Sequence, residues 1–285
     1  MPARSCFRRG VGLAVLLSLG AAVLALPSCR STSALEPIPD RLVVLTFDDS
    51  VKSQFTVVRP ALLRRGFSAT FFVTEGFDFP TNKTDYMTWD EIAQLYHDGF
   101  EIGNHTKSHS SVTPSTLSRL RGEVQAIAER CREHGIPEPI SFAYPGNAIA
   151  PGALPILREL GIRFARRGGA PERPYEGGEG VPYEPGFDHP LLIPSGGDAR
   201  PAWKLEDFIR AVEPARDGKI VVLQFHGAPD LAHPWVSTPS PMFEAYMEYL
   251  SAHGFHAIAM RDLARYVDPT RESRDPLEAI ERRRR

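Results

Sequence analysis

The sequence predicts an α/β fold whose parallel strands close into a barrel, and three observations carry that prediction. Short apolar runs alternate with amphipathic stretches through short links, the rhythm of βαβ units. Two of those runs end in clusters of acids or imidazoles, and the C-terminal ends of strands are where a parallel barrel places its chemistry. The chain has 285 residues, 42% hydrophobic and 24% charged, which suits one well-buried domain of that size. A formal net charge of only -2 shows no nucleic-acid footprint.

Each element has its own signal. The apolar run Leu42-Val43-Val44-Leu45 is the first strand, delivering Asp48-Asp49-Ser50 at its C-terminal end. From Ser53 to Arg65, Phe55, Val58, Leu62 and Leu63 recur at helical spacing, with Gly66 placed as the C-cap. Ser68 to Val73, rich in Phe and Thr, is a second strand. Thr88 to His97 is a helix opened by a capping box, Thr88 with Glu91, and ended at Gly99. A third strand, Phe100 to Asn104, delivers His105-Thr106-Lys107-Ser108-His109, and a long helix from Pro114 to His134 stops at Gly135 and Pro137. Ile140 to Tyr144 is strand four, Gly152 to Leu160 a helix, and Ile162 to Ala165 strand five.

The stretch from Arg167 to Arg200 breaks the rhythm, being dense in Gly and Pro. It reads as a substrate-shaping excursion beside the active mouth, because a long loop in a compact domain is usually functional or disordered. Lys204 to Arg216 resumes as helix, Lys219 to Phe225 is a strongly apolar strand, and Met242 to His253 is a helix with one apolar face. A strand from His256 to Ala259 and a helix from Arg261 to Tyr266 complete a catalytic domain spanning 41–267. Residues 268–285 read as a polar, basic, solvated tail.

The N-terminus reads as an export signal. Arg4, Arg8 and Arg9 precede an uncharged apolar stretch from Val11 to Leu26, short for a membrane span. Leu26-Pro27-Ser28-Cys29 resembles a bacterial lipobox, so residues 1–28 are assigned as a lipoprotein-type signal, Cys29 as the lipidated residue and 29–40 as a tether. Plain secretion or an uncleaved anchor is the competing reading. Either way the domain is exported, and the lipid would anchor it to a membrane facing the periplasm or the cell exterior. Cys131 is then the one remaining thiol and reads as a small buried hydrophobe.

The chemistry begins with the two adjacent carboxylates. Like charges side by side are costly unless a cation or proton relieves them, which points to a shared metal. His105 and His109, at i and i+4, can reach one ion if their segment makes a helical turn. One Asp and two His with open positions form a catalytic-type site suited to zinc or another divalent transition metal. Each half alone reads equally well as a turn, an N-cap or solvated surface.

Together, Thr46-Phe47-Asp48-Asp49-Ser50 and His105-Thr106-Lys107-Ser108-His109 resemble the first two motifs, TFDDG and H[ST]xxH, of the polysaccharide deacetylase family (NodB homology domain, carbohydrate esterase family 4). Ala143-Tyr144-Pro145-Gly146 and Leu223-Gln224-Phe225-His226 are looser matches, so the resemblance runs from about residue 40 to 265. It implies a distorted (β/α) barrel of about seven strands that removes acetyl groups from an envelope or extracellular polysaccharide. It implies Asp49, His105 and His109 as ligands of a divalent ion, most simply zinc, and Asp48 as the base. His226 would be the acid and the Gly146 backbone N–H the oxyanion donor, with Tyr144 and Pro145 against the substrate. A turn at Pro145-Gly146 and a core or rim histidine at 226 are the bland alternatives.

The sequence departs from the family pattern at Ala143, where an arginine commonly orients the base. Arg166 is the candidate substitute, against a surface arginine. Asp198 is a candidate partner for His226 and Trp203 a candidate substrate platform; a loop Asp and a buried Trp are the competing readings. His189 and His233-Pro234-Trp235 are further candidates for the mouth. A hydrolase of a non-sugar carbon–nitrogen bond and a non-catalytic glycan-binding envelope protein are the rival functions.

Overall fold

A computed structural model describes residue 1, residues 34–272 and residues 275–285. The signal stretch, Cys29 and the first part of the tether, residues 29–33, lie outside the described residues. The strands are β1 (Leu42–Phe47), β2 (Thr70–Val73), β3 (Glu101–Asn104), β4 (Ser141–Ala143), β5 (Phe164–Arg166), β6 (Gly197–Asp198), β7 (Val221–Phe225) and β8 (His256–Ile258). The α-helices are α1 (Arg59–Leu63), α2 (Trp89–His97), α3 (Leu117–Glu133), α4 (Ala153–Glu159), α5 (Leu205–Val212), α6 (Ser240–Ala252) and α7 (Glu278–Arg284). Seven strands, all parallel, follow the order β5-β4-β3-β2-β1-β7-β6, and β8 pairs with the lower half of β1. Among the described residues no helix is long and apolar enough to cross a membrane.

The helices follow from their local signals. Thr88 Oγ1 accepts from Glu91 N (3.2 Å) and Glu91 Oε2 accepts from Thr88 N (2.7 Å), the reciprocal cap that the sequence announces. The helix expected from Ser53 begins instead as a π-helical turn, Gln54–Val58, before α1. This wider turn lets Gln54 Nε2 reach the carbonyl oxygens of Asp48 and His226 (3.1 Å to the latter), tying the helix to the ends of β1 and β7.

Strand alternation sorts side chains to two faces. Val43, Leu45 and Phe47 of β1, Phe71 of β2, and Leu223 and Phe225 of β7 pack outward against Leu62, Ile92, Phe208 and Tyr246 of the helices. The opposite parity fills the barrel in layers. At the bottom Glu101 accepts from Thr70 Oγ1 (2.6 Å), Ser141 Oγ (2.7 Å) and Arg261 N (2.7 Å). The middle layer is apolar, with Val44, Phe72, Ala143, Phe164 and Val222. The same parity carries Asp48, His105, Arg166, Gln224 and His226 to the top.

Two expectations need correction. The excursion after β5 is part of the wall over its last residues. Ile193 N donates to Ala165 O (2.9 Å), Gly196 N to Val222 O (2.7 Å), and β6 pairs with β7, so 193–198 spans the gap between β5 and β7. The basic tail is also not merely a solvated end. Ala279 and Ile280 of α7 are buried, and Arg283 donates to both carboxylate oxygens of Asp188 (2.5 and 2.7 Å) and stacks on Phe187. The arginine run offers no apolar signal, whereas the residues that anchor it lie about a hundred positions earlier.

Gly103 lies on the inner face of β3, where an added Cβ would stand 2.4 Å from the Phe72 ring. Because that ring fills the middle layer it has little room to yield. Gly103→Ala is expected to destabilise the domain by about 1–3 kcal/mol, measured as a fall in the chemical-denaturation midpoint.

Candidate metal centre and active cleft

In a strand, consecutive side chains point to opposite faces, yet Asp48 and Asp49 both face the barrel mouth. The backbone explains it: Asp49 and Ser50 adopt left-handed conformations (φ 73° and 57°), which breaks the alternation as β1 ends. Ser50 stands where the family form TFDDG has glycine, the residue that takes this conformation without steric cost. Its hydroxyl donates to Thr74 O (2.9 Å) and accepts from Thr74 N (3.0 Å), fixing the turn against the end of β2.

The two histidines converge by turns rather than by the helical turn that their spacing suggests. His105 prolongs β3, its N–H bonding to Val73 O (3.0 Å). Thr106 and His109 then take positive φ (59° and 54°), and Asn104 Oδ1 and Thr106 Oγ1 hold the loop from within. His105 Nε2 and His109 Nε2 lie 3.4 and 3.3 Å from Asp49 Oδ1. Two donors each about 2.1 Å from a tetrahedral ion are about 3.4 Å apart, so these atoms have the spacing of ligands around one divalent metal. Two further observations fit the same group. Asp49 Oδ1 is buried without a hydrogen-bond partner, and His105 Nδ1 donates to Ala143 O (2.8 Å), which turns the Nε2 lone pair toward the site.

Electrostatics agree with a cation site. Burial alone would raise the Asp49 carboxyl, but the adjacent imidazoles, His105 foremost and then His226 and His109, hold it well below the ordinary carboxylate range. Burial disfavours the His105 imidazolium, yet Asp48 and Asp49 outweigh it and raise its pKa above the usual value. His109 moves the other way, pushed down to about 4 by burial and by His105.

Asp48 is held beside this centre by groups other than the histidines. Arg166 Nη2 lies 2.7 and 2.5 Å from its two carboxylate oxygens, and Gln224 Nε2 donates to Oδ2 (3.2 Å). Ala143 and Arg166 are direct partners across β4 and β5. The guanidinium that the family pattern puts at the position of Ala143 therefore arrives from the adjacent strand, and the small Ala143 side chain leaves it room. Across the mouth, His226 Nε2 is 3.8 Å from Asp49 Oδ2, and His226 Nδ1 is 3.8 Å from Asp198 Oδ1. Arg200 Nη2 lies 2.7 Å from the other Asp198 oxygen. Burial raises the Asp198 carboxyl against the opposing pull of His226 and Arg200.

These groups line a cleft of about 140 Å³ together with Phe77, Tyr144, Tyr175, His233 and Trp235. Gly146 and Asn147 form part of its edge. Three of the lining aromatics are open to solvent, Phe77 and Tyr175 at 45% and Trp235 at 62%. Tyr144 lines the cleft but its hydroxyl points away, donating to Leu191 O (2.9 Å), and Pro145 is buried and outside the lining. Trp203 lines a different cavity and donates to Gly177 O (2.8 Å), so it is not a platform beside the metal ligands. His189 sits away from the mouth, 3.5 Å from Glu272. Sequence reasoning missed Gln224, Phe77 and Tyr175. Gln224 carried a usable signal, since strand parity places it on the same face as His226.

A parallel barrel with a candidate metal centre and an arginine-held carboxylate at its C-terminal mouth defines the class. Residues 36–165 match the family model described as polysaccharide deacetylase. A peptidoglycan-N-acetylglucosamine deacetylase of Bacillus cereus is 28% identical over 128 residues, 45% of this chain and 56% of that protein. The match thus spans about half the length of that relative. In fold the chain is similar to the Xyl-CE4 domain of a multidomain xylanase from the hindgut metagenome of Trinervitermes trinervoides, with a TM-score of 0.55 at 18% identity over 82% of this chain and 95% of that one. It is also similar to a family 4 acetyl xylan esterase from Clostridium thermocellum solved with a cobalt ion, with a TM-score of 0.51 at 20% identity over 78% and 89%.

Two predictions follow from the geometry. Metal uptake requires neutral imidazoles, and His105, with its raised pKa, must lose a proton that His109 has already lost near neutrality. Affinity for Zn²⁺ should rise with pH by up to about tenfold per unit below the His105 pKa and level off above it, read by chelator competition between pH 5.5 and 8. Arg166→Met leaves Asp48 buried and uncompensated, and should cost about 3–5 kcal/mol of stability in denaturant unfolding at neutral pH.

Proposed function

We propose that the chain is an exported hydrolase that removes acetyl groups, N- or O-linked, from a polysaccharide. The observation that carries this reading is the convergence, in one cleft, of an arginine-held carboxylate, a three-ligand metal centre and a histidine backed by a buried acid. Acyl hydrolysis needs these parts: a base for water, a stabiliser of the carbonyl oxygen and an acid for the leaving group. The family match over 36–165 supports the reaction class. The cobalt ion in the esterase of similar fold supports a divalent metal, for which zinc suits the two-imidazole, one-carboxylate donor set.

Asp48, not a ligand itself, accepts the proton of the attacking water as the new carbon–oxygen bond forms. Arg166 and Gln224 hold its carboxylate in place for that transfer. Asp49, His105 and His109 would hold a divalent ion, whose Lewis acidity would polarise the acetyl carbonyl and acidify water. The Gly146 N–H is assigned to the developing oxyanion. His226, whose Nδ1 lies 3.8 Å from the buried Asp198 carboxylate, gives a proton to the departing amine or alcohol as the bond to the acetyl carbon breaks, releasing acetate and the deacetylated sugar. The exposed Phe77, Tyr175 and Trp235 offer flat apolar faces of the kind that pyranose rings stack against. The charged and apolar N-terminal stretch and Cys29 support export and a lipid anchor, with the substrate in the envelope or outside the cell.

The test is acetate release from a panel of acetylated glycans, with metal removed and restored. Release should vanish with chelation and return with Zn²⁺, and Asp48→Asn should lower kcat about 10²–10⁴-fold while metal stoichiometry stays at one. Stoichiometric metal binding without acetate release from any glycan would overturn the polysaccharide reading.

A further inference from the structure

The cleft contains a histidine that the reaction above does not use. His233, in the loop between β7 and α6, lines the same wall as Trp235 and is 9% exposed. Asp230, almost fully buried, holds it twice: Oδ1 accepts from His233 N (2.8 Å), and Oδ2 lies 3.2 Å from His233 Nδ1. Among the described residues no arginine or lysine pairs with Asp230, so the imidazole is the group that answers this buried carboxylate. A carboxylate fixed on Nδ1 orients the ring and stabilises its charged form, leaving Nε2–H as the outward donor. The hydrogen-bond partner of Nε2 within the protein is the Tyr86 hydroxyl at 3.5 Å, the outer limit of such a bond.

The surroundings say what that donor would meet. The Phe77 ring lies between His233 (4.5 Å) and the metal ligand His109 (4.6 Å), so His233 stands one ring away from the candidate metal centre. Trp235, 5.4 Å from His233, is the most exposed aromatic of the rim. The acids on the cleft floor are already answered, Asp48 by Arg166 and Asp49 by the two ligand histidines. Asp198 is answered by Arg200 and His226. A sugar stacked on Trp235 therefore presents its substituents to one charge-assisted donor whose protein partner, the Tyr86 hydroxyl, stands at the outer limit of hydrogen bonding.

We propose that the Asp230–His233 couple is a specificity site that binds a carboxylate on the glycan, one sugar away from the unit being deacetylated. The preferred substrate is then an acidic strand rather than a neutral one. This rests on the deacetylase reading, deepening it by naming the class of polymer. Such a carboxylate can come from a uronic acid or from a lactyl ether on an amino sugar, and the two share the chemistry that His233 reads. His233 acts here as a positioning residue, distinct from the acid His226.

The experiment is calorimetric binding of three metal-loaded full-length proteins, wild type, His233→Gln and Asp230→Asn, to matched oligosaccharides. The set holds acetylated neutral oligomers, acetylated uronate-bearing oligomers and peptide-free strands with lactyl ethers, and acetate release is measured in parallel. Wild type should bind at least one acidic strand more tightly than its neutral counterpart. His233→Gln should weaken that acidic binding about 10- to 30-fold, as for loss of one charge-assisted hydrogen bond, against less than about threefold for the neutral oligomer. Asp230→Asn should move the same way by less, and His233→Lys, which restores a cation, should recover part of the acidic preference. Equal losses on acidic and neutral strands, or no acidic preference in wild type, would overturn the proposal. Acidic binding that His233→Gln abolishes, with no acetate released by wild type, would keep the site and overturn the deacetylase reading instead. Stoichiometric metal in every variant verifies that the fold is intact.

Discussion

The top of this barrel depends on one buried ion pair. Arg166 and Asp48 are both sealed from solvent, inside a sheet whose middle layer is apolar. Two charges in such a place are tolerated only in good mutual geometry, since either one alone would be strongly destabilising. The pair sets the spacing of β1 and β5 across the barrel. It keeps the Asp48 carboxylate turned into the mouth, and Gln224 and the Asp48 backbone bond to Phe225 O complete its confinement. The neighbouring Asp49 is free to face the histidines because a different residue carries each carboxylate's compensation.

That division of labour accounts for the layout of the cleft. One wall, from β1, β2 and β3, holds the candidate metal ligands. The opposite wall is built by the late excursion and β7, and brings Asp198, His226 and the exposed Tyr175. The loop after β7 adds His233 and Trp235 as a rim. The floor is rigid, secured by strand pairing and by Thr46 Oγ1 bonding to Leu223 O (2.6 Å), whereas the rim is loop and side chain. Chemistry and recognition thus sit on parts of different stiffness, as is usual when loops on a rigid scaffold carry specificity.

Much of this was legible in the residues. Strand parity, the Thr88–Glu91 cap and the apolar runs that end in acids or imidazoles reflect local rules, and those elements are where the sequence puts them. The clustering of Asp49, His105 and His109 was readable because each sits at a strand end, and all strand ends of a parallel barrel meet. Arg166 could be named as a candidate because it ends a strand too. What was not legible arises from long-range packing. Trp203 is aromatic and lies near Asp198 in sequence, but the fold turns its ring into a separate cavity. Tyr144 flanks the oxyanion candidate, yet its hydroxyl satisfies a carbonyl forty-seven positions away. Phe77 and Tyr175 sit in segments without periodicity, so no pattern marked them as rim residues. The left-handed turns at Asp49, Thr106 and His109 replaced a simple helical turn because the ligands must approach from two strand ends at once.

The docking of α7 bears on how the cleft is assembled as the chain is made. Asp188 and Glu184, in the excursion that later forms the wall between β5 and β7, are bonded by Arg283. Arg167, at the end of β5, bonds to Glu172, and Arg283 also lies within reach of that acid. A wall formed midway through synthesis therefore carries acids whose counter-charge is supplied about a hundred residues later. Until residue 283 has emerged, the buried Asp188 carboxylate lacks its arginine, and the early strands can pair before the mouth can close. The order of synthesis then runs from candidate metal ligands to candidate acid to strap, with the wall of the cleft that the excursion builds becoming complete last.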